Sequence, residues 1–261
     1  MNAKPCKPYS RGAALPPSVR LVVIGGEAAS LEAVTTWCRL PRRPTLVNAY
    51  GPTETTISAT WWILAPDAPA PIDRVPIGTP LRGVDAYVLD RHRQPVPAGL
   101  PGELYLGGPA LARGYLHRPE LTAERFVTAP VAAGRLYRTG DLVRVSARDE
   151  LVFLGRTDHQ IKLRGFRIEL GEIEAALAAH PGVRDAIVLC LGEGAAARLV
   201  GFVVGQPADA GAPVDAAALT AHLRGRLPAP LIPAQLAVLE RWPLTSHGKV
   251  DRRALAPLAP A

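Results

Sequence analysis

Among the first 65 residues, two short apolar runs are separated by a segment whose apolar residues recur with the period of a helix. Residues 19–24 are apolar apart from one arginine and predict a buried strand. The stretch from Ser30 to Leu40 has helical spacing, and Ser30 is a suitable N-cap. A second short strand is predicted at residues 45–48, before the turn at Gly51-Pro52. This strand–helix–strand order predicts an α/β unit with a parallel sheet, whose strand ends are where ligands bind.

The pattern changes between about Pro66 and Gly155, where short alternating runs are separated by proline and glycine. The clearest of these runs are residues 85–89, 102–106, 141–145 and 151–154. Alternation with a period of two between turn signals predicts a small β-barrel or sandwich. One helix is predicted to interrupt it at residues 119–126, with Pro119 in its first turn.

A third pattern begins after Asp158 and predicts a compact α+β arrangement. Its expected strands are residues 160–164, 186–191 and 199–204, the last two forming a hairpin, and its expected helices are 170–180 and 216–227. We therefore predict two parts: an α/β plus β-barrel unit over residues 1–157, and a small α+β unit over residues 158–261.

Composition narrows the class of protein. The 261 residues carry a net charge of +7, but the basic residues are dispersed rather than clustered, which argues against nucleic-acid binding. No apolar run approaches the roughly 18 residues that a membrane span needs, and the N-terminal residues lack the apolar core of a signal peptide. The cysteines form neither a disulfide framework nor a metal pattern: Cys6, Cys38 and Cys190. We expect a cytoplasmic protein without a membrane segment.

The turn after the second predicted strand holds candidate phosphate and metal ligands. Thr53 and Glu54 follow Gly51-Pro52 directly, so a hydroxyl donor lies beside a carboxylate that suits Mg²⁺. The alternative for Glu54 is a surface acid after a turn. Tyr50 offers a ring for an adenine base, although tyrosine is also an ordinary core aromatic.

Three further residues suit nucleotide chemistry. Asp141 follows a predicted strand in the sequence Thr139-Gly140-Asp141, where a carboxylate can accept both ribose hydroxyls or, alternatively, cap its own backbone. Arg156 can reach the same ribose. Lys249 follows His247-Gly248 and can hold carboxylate and phosphate oxygens together, or be a solvated surface lysine.

Five short motifs, in this order, resemble the adenylation domains of nonribosomal peptide synthetases, which are AMP-forming ligases. They are residues 48–56 (NAYGPTETT), 137–142 (YRTGDL), 155–158 (GRTD), 167–174 (RIELGEIE) and 248–252 (GKVDR). The resemblance extends from about Val19 to Leu255. It implies the C-terminal part of a large adenylation subdomain over residues 1–157, followed by a small mobile C-terminal subdomain over residues 158–261.

The resemblance also implies functions for individual residues. In the large subdomain, Gly26, Glu27 and Ala28 would lie against the adenine beside Tyr50, Thr53 would contact phosphate and Glu54 would hold Mg²⁺. Asp141 and Arg156 would bind the ribose. In the small subdomain, Arg167 would lie near the phosphates, Gly165 would line the route of a phosphopantetheine arm and Lys249 would be the catalytic lysine, with Asp158 as the hinge.

The amino-acid side chain would occupy a pocket of small and apolar residues, which favours a neutral amino acid: Val23, Gly25, Ala49, Ile57 and Ser58. The resemblance therefore implies an amino acid and ATP with Mg²⁺ as substrates. It also implies a carrier protein bearing phosphopantetheine as the partner that accepts the aminoacyl group.

Three family features are absent from the sequence: the Ser/Thr/Gly-rich phosphate loop, the acidic residue that grips the amino group, and the carrier attachment motif Gly-Gly-Asp-Ser. We therefore expect a chain that needs a missing N-terminal half, exposes an apolar face where that half packs, and acts on a separate carrier. The alternatives are a fragment of an acyl-CoA or aryl-acid ligase, and an inactive remnant that only binds partners.

Overall fold

The computed structural model describes residues 15–158, 160–192, 196–206 and 214–260. The chain divides into two compact units after Asp158. The helices are α1 (Leu31–Cys38), α2 (Pro119–Arg125), α3 (Leu170–Ala178), α4 (Ala216–Arg224) and α5 (Arg252–Leu255). Among the described residues, no helix is long and apolar enough to cross a membrane.

The described residues of the first unit, 15–158, form two sheets. The strands of its first sheet are β1 (Leu21–Gly25), β2 (Thr45–Tyr50), β3 (Thr60–Leu64) and β4 (Thr79–Pro80). The strands of its second sheet are β5 (Asp85–Leu89), β6 (Gly102–Gly107), β7 (Phe126–Thr128), β8 (Arg135–Val145) and β9 (Leu151–Arg156).

The first sheet confirms the predicted strand–helix–strand unit. β1 and β2 pair in parallel, and β3 and β4 extend the sheet in antiparallel fashion. Ser30 caps α1, because its hydroxyl accepts a hydrogen bond of 3.3 Å from the backbone N–H of Ala33. One face of the sheet packs with α1 in a core that includes Val34, Leu46 and Trp62.

The opposite face of this sheet is apolar and exposed. We call it the open sheet face, and it consists of Leu21, Val23, Trp61 and Ile63, whose side chains are 54%, 57%, 42% and 61% exposed. The register places Val23 beside Val47 and Val47 beside Ile63, so the exposed side chains flank Val47, which is itself buried at 4% exposure. The prediction that residues 19–24 form a buried strand is therefore wrong for this face, since an apolar run does not reveal whether both faces of its strand are covered.

The second sheet is antiparallel and curled. Its long central strand β8 pairs with β6, β7 and β9, and the register shifts between Glu103 and Tyr105 and again between Leu142 and Val143. Such irregularities increase local twist and bend a sheet. The curled half-barrel agrees with the barrel predicted from the alternating pattern, and Pro119 begins α2 as expected.

The second unit is a small α+β structure. It contains a hairpin of β10 (Gln160–Leu163) and β11 (Phe166–Glu169), and a three-stranded sheet of β12 (Val183–Leu191), β13 (Arg198–Gly205) and β14 (Gln235–Leu239). The predicted hairpin is present as β12 and β13, whereas β14, which pairs in parallel with β13, was not predicted. Both predicted helices end earlier than expected, at Ala178 and Arg224.

Helices α3 and α4 supply much of the core of this unit. Ile173, Leu177, Leu219 and Leu223 are fully buried against the apolar side chains of the three-stranded sheet. Asp215 caps α4 by accepting a 2.7 Å hydrogen bond from the backbone N–H of Ala218.

This packing predicts different effects for two neighbouring residues of α4. Leu223→Ala removes a fully buried side chain and should lower the free energy of unfolding by about 2–5 kcal/mol. Arg224→Ala changes an exposed side chain and should alter it by no more than about 0.5 kcal/mol. Urea unfolding followed by circular dichroism measures both, and equal effects would contradict this description of the core.

Candidate active site

The turn after β2 has a strained backbone. Thr56 and Ile57 lie in the left-handed region, with φ values of 60° and 73°, which is unfavourable for side chains other than glycine. Gly51 is required where the turn closes, because a Cβ atom there would lie 2.4 Å from the carbonyl oxygen of Ile57. Such strain is retained where the surrounding structure enforces it, and it is concentrated at functional sites.

Glu54 lies in this turn and is buried, with 7% of its surface exposed. Its Oε1 accepts a hydrogen bond of 2.6 Å from the hydroxyl of Tyr115, and its backbone oxygen accepts one of 2.8 Å from the N–H of Ala112. The alternative of a solvated surface acid is therefore wrong. Thr53, the preceding residue, is exposed.

Asp141 is a second buried carboxylate of the first unit, and only 3% of its surface is exposed. The Tyr50 hydroxyl donates a hydrogen bond to Oδ2, and Arg156 donates one to Oδ1 in an ion pair. Arg156 is opposite Asp141 in the β8–β9 pairing, so the sheet register itself brings the pair together. The structure thus places three predicted nucleotide-binding residues in direct contact.

Tyr50 contributes a permanent hydrogen-bond donor to this group. Burial, and then the negative charge of Asp141, hold the pKa of the Tyr50 phenol well above its usual value of 10.0. The phenol therefore stays protonated at any physiological pH.

Arg156 also connects Asp141 with the predicted hinge residue. Its Nε and Nη2 atoms donate to the two carboxylate oxygens of Asp158 at 2.7 and 2.9 Å, and Nη2 also lies 3.0 Å from the carbonyl oxygen of Thr139. Arg125 of α2 is 3.4 Å from Asp158. Arg125 was missed in the sequence because it lies 33 residues before its partner and outside every motif.

The predicted adenine and side-chain pocket residues lie on β1 and β2 and in the segments that follow these two strands. Gly25 is beside Ala49 in the parallel pairing, and a Cβ atom on Gly25 would lie 2.5 Å from the carbonyl oxygen of Ala49. Gly26, Glu27 and Ala28 follow β1 directly and are exposed. Val23 belongs to the open sheet face and Ala49 lies on the same side of the sheet, while Ile57 and Ser58 belong to the strained turn.

The remaining predicted site residues belong to the second unit. Lys249 is exposed in a short loop, where its backbone oxygen accepts a 2.7 Å hydrogen bond from the N–H of Thr245. Gly165 forms the turn between β10 and β11 with a φ of +79°. Arg167 is exposed on β11, opposite Lys162.

Within the described residues, no group of three or more histidine, cysteine, aspartate or glutamate side chains is arranged to hold a metal ion. Mg²⁺ in nucleotide sites usually takes only one or two carboxylates, and the rest of its ligands are water and phosphate oxygens. A single buried carboxylate such as Glu54 fits that requirement.

Comparison with known proteins identifies the class. A family model described as AMP-binding enzyme matches residues 2–116, and a second, described as AMP-binding enzyme C-terminal domain, matches residues 172–249. The chain belongs to the AMP-binding enzymes. Within them it belongs to the adenylation domains of nonribosomal peptide synthetases, as the relatives below show, and this confirms the resemblance seen in the five motifs.

Three similar proteins define the relationship. The chain is 50% identical over 250 residues to a component of the linear gramicidin synthase of Brevibacillus parabrevis, covering 93% of this chain and 3% of that protein. It is 51% identical over 248 residues to phosphinothricin tripeptide synthetase PhsC of Streptomyces viridochromogenes, covering 93% of this chain and 22% of that protein. Among solved structures, holo-PA1221, a nonribosomal peptide synthetase protein with adenylation and PCP domains bound to a vinylsulfonamide inhibitor, is 33% identical with a TM-score of 0.76, covering 93% of this chain and 41% of that one.

The raised pKa of Tyr50 predicts a loss of stability in alkali. Above pH 10 the unfolded chain releases this phenolic proton while the folded chain keeps it, so unfolding becomes more favourable as the pH rises. The free energy of unfolding should fall by up to about 1.4 kcal/mol per pH unit for this one group. Urea unfolding between about pH 9 and pH 11 should show a shallower slope for Tyr50→Phe than for the wild type; equal slopes would contradict the burial of this phenol.

Proposed function

We propose that this chain forms the part of an amino-acid adenylation site that binds the ribose, the metal and the reacting carboxylate. In the reaction, a carboxylate oxygen of the amino acid attacks the α-phosphorus of ATP, and the bond to pyrophosphate breaks to leave aminoacyl-AMP. The aminoacyl group then passes to the thiol of phosphopantetheine on a carrier protein, and AMP leaves. The observation that carries the proposal is the buried Asp141 carboxylate, fixed between Tyr50 and Arg156 in a family that binds AMP.

The first unit would supply the nucleotide contacts. Asp141 would accept hydrogen bonds from the ribose hydroxyls, with Arg156 beside it, while the exposed Gly26–Ala28 segment would lie against the adenine near Tyr50. The exposed Thr53 would donate its hydroxyl to the α-phosphate. Glu54 would hold Mg²⁺, which when bound supplies positive charge against the phosphate oxygens.

The second unit would supply mobile contacts. Lys249, exposed on its loop, would hold the amino-acid carboxylate and the α-phosphate together, which lowers the barrier by positioning and charge neutralisation. Arg167 would lie near the phosphates and Gly165 along the phosphopantetheine route. Asp158 would act as the hinge, and the polar contacts that hold it, to Arg125 and Arg156, can exchange with water or with other partners.

The proposed substrate is a neutral amino acid, because the residues assigned to the side-chain pocket are small or apolar: Val23, Gly25, Ala49, Ile57 and Ser58. We place the reaction in the cytoplasm, which the scattered cysteines favour.

The proposed site also requires a phosphate loop to bind the triphosphate. The sequence lacks the phosphate loop of the family, and the chain spans 41% of the solved relative described above. The open sheet face is a contiguous apolar surface of the kind that marks an interface. We propose that the N-terminal half of an adenylation domain packs against this face and completes the site.

Amino-acid-dependent exchange of pyrophosphate with ATP tests the proposed reaction. With a separately made N-terminal half present, the chain should catalyse exchange, and Lys249→Ala or Asp141→Asn should lower it by about two orders of magnitude or more, as expected when a positioned charge is removed. The control is Arg224→Ala, an exposed basic residue of α4 with no assigned role in the site, which should leave the rate unchanged. Absence of exchange and of ATP binding in calorimetry would favour the inactive remnant instead.

A surface variant tests the proposed docking of the N-terminal half. Ile63→Lys places a charge on the open sheet face and should weaken the association of the two halves by about 10- to 100-fold, since burial of one such side chain is worth about 1.5–3 kcal/mol. Val238→Lys, at a comparably exposed apolar residue of the second unit, is the matched control. Equal affinities for both variants in a titration of one half with the other would rule out this face as the interface.

A further inference from the structure

A loop after β6 holds the turn that contains Glu54. We call residues 109–118 the bracing loop. It contacts the turn at three points: the Ala112 N–H donates to the Glu54 backbone oxygen at 2.8 Å, the Tyr115 hydroxyl donates to Glu54 Oε1 at 2.6 Å, and the Ala110 carbonyl accepts from the Thr56 hydroxyl at 2.7 Å. Both the backbone and the carboxylate of Glu54 are therefore fixed by the same loop.

The bracing loop is itself tightly fitted. At Gly114, which has a φ of +147°, a Cβ atom would lie 2.5 Å from Cγ2 of Thr122. The hydroxyl of Thr122 accepts a 2.9 Å hydrogen bond from the Tyr115 N–H and donates one of 2.8 Å to the carbonyl of Arg118. Arg135 of β8 donates to two further carbonyls of the loop, those of Arg113 at 3.0 Å and Ala112 at 3.2 Å.

The ring of Tyr115 is held by other aromatic rings. It meets Phe126 edge to face with 5.7 Å between ring centroids, and Phe126 lies 5.2 Å from Tyr137, which is fully buried.

We propose that Tyr115 is a positioning residue for metal binding: its hydroxyl fixes the orientation in which the Glu54 carboxylate holds Mg²⁺. A hydrogen bond to a ligating carboxylate orients it, and loss of such a contact lowers metal affinity by about 10- to 100-fold. The inference rests on the proposed function of Glu54, since Tyr115 acts only through that carboxylate. Tyr115 lies outside the five motifs and 61 residues from Glu54.

The test uses Mn²⁺ as a paramagnetic substitute for Mg²⁺, with the full chain and the separately made N-terminal half that completes the proposed site. Binding of Mn²⁺–ATP changes the relaxation rate of water protons, and this gives an affinity that does not depend on catalysis. Tyr115→Phe should weaken binding of Mn²⁺–ATP by about 10- to 100-fold. Tyr105→Phe is the matched control, because Tyr105 is a buried tyrosine whose hydroxyl lies 3.5 Å from a different carboxylate, that of Glu103, and it should change the affinity little.

Calorimetry with ATP in EDTA separates positioning from a general structural effect. Tyr115→Phe should match the wild type without metal and differ from it only when Mn²⁺ is present. An equal loss under both conditions, or no loss under either, would overturn the inference.

Glu54→Gln distinguishes failure of this inference from failure of the proposed function. If Glu54→Gln weakens Mn²⁺–ATP binding and Tyr115→Phe does not, only the role of Tyr115 is wrong. If Glu54→Gln has no effect, the metal role of Glu54 is wrong, and with it that of Tyr115. If the wild-type chain with the N-terminal half binds ATP in EDTA but no Mn²⁺–ATP, or binds neither, both assignments are overturned.

Discussion

The burial of the Asp141 carboxylate is the constraint on which the first unit depends. A carboxylate removed from water is costly unless it is paired and hydrogen-bonded, so its position fixes the position of its partners. One partner, Tyr50, comes from the end of the first sheet, and the other, Arg156, from the neighbouring strand of the second sheet. The Asp141 carboxylate therefore connects the two sheets through its contact with Tyr50, which lies 91 residues away in the chain.

The same device occurs twice in this unit. Asp141 and Glu54 are both buried carboxylates, and each accepts a hydrogen bond from a tyrosine whose phenol is held in its protonated form. A tyrosine donor suits such a place, because it satisfies a carboxylate oxygen without neutralising the charge that a ribose hydroxyl or a cation would use. Groups fixed in this way before a ligand arrives need little reorganisation during reaction.

How much could be predicted from the sequence depends on the range of the interaction. Local signals were sufficient for the N-cap at Ser30, for Pro119 at the start of α2 and for the β12–β13 hairpin, because each depends on residues close in the chain. The motifs predicted that Tyr50, Asp141 and Arg156 all belong to one nucleotide site. The structure places these three residues in contact.

Long-range relationships were not visible in the sequence. Tyr115 and Arg125 belong to no motif, and their partners, Glu54 and Asp158, are 61 and 33 residues away. The exposure of Val23 was missed for a different reason. An apolar strand has the same appearance in the sequence whether one of its faces or both are covered. The apolar run at residues 19–24 therefore predicted a buried strand, although one face of that strand is exposed.

The ion network around Arg156 also has a consequence for electroneutrality. Its ion pairs join two guanidinium groups, Arg156 and Arg125, to the carboxylates of Asp141, Asp158 and Glu124, so both positive charges are already matched by carboxylates. Such a cluster can receive an uncharged sugar without a Coulombic penalty, but it has no surplus positive charge for a triphosphate. The positive charge that neutralises the phosphates must then come from groups outside this cluster. The groups that contact the sugar and the groups that neutralise the phosphates are therefore different.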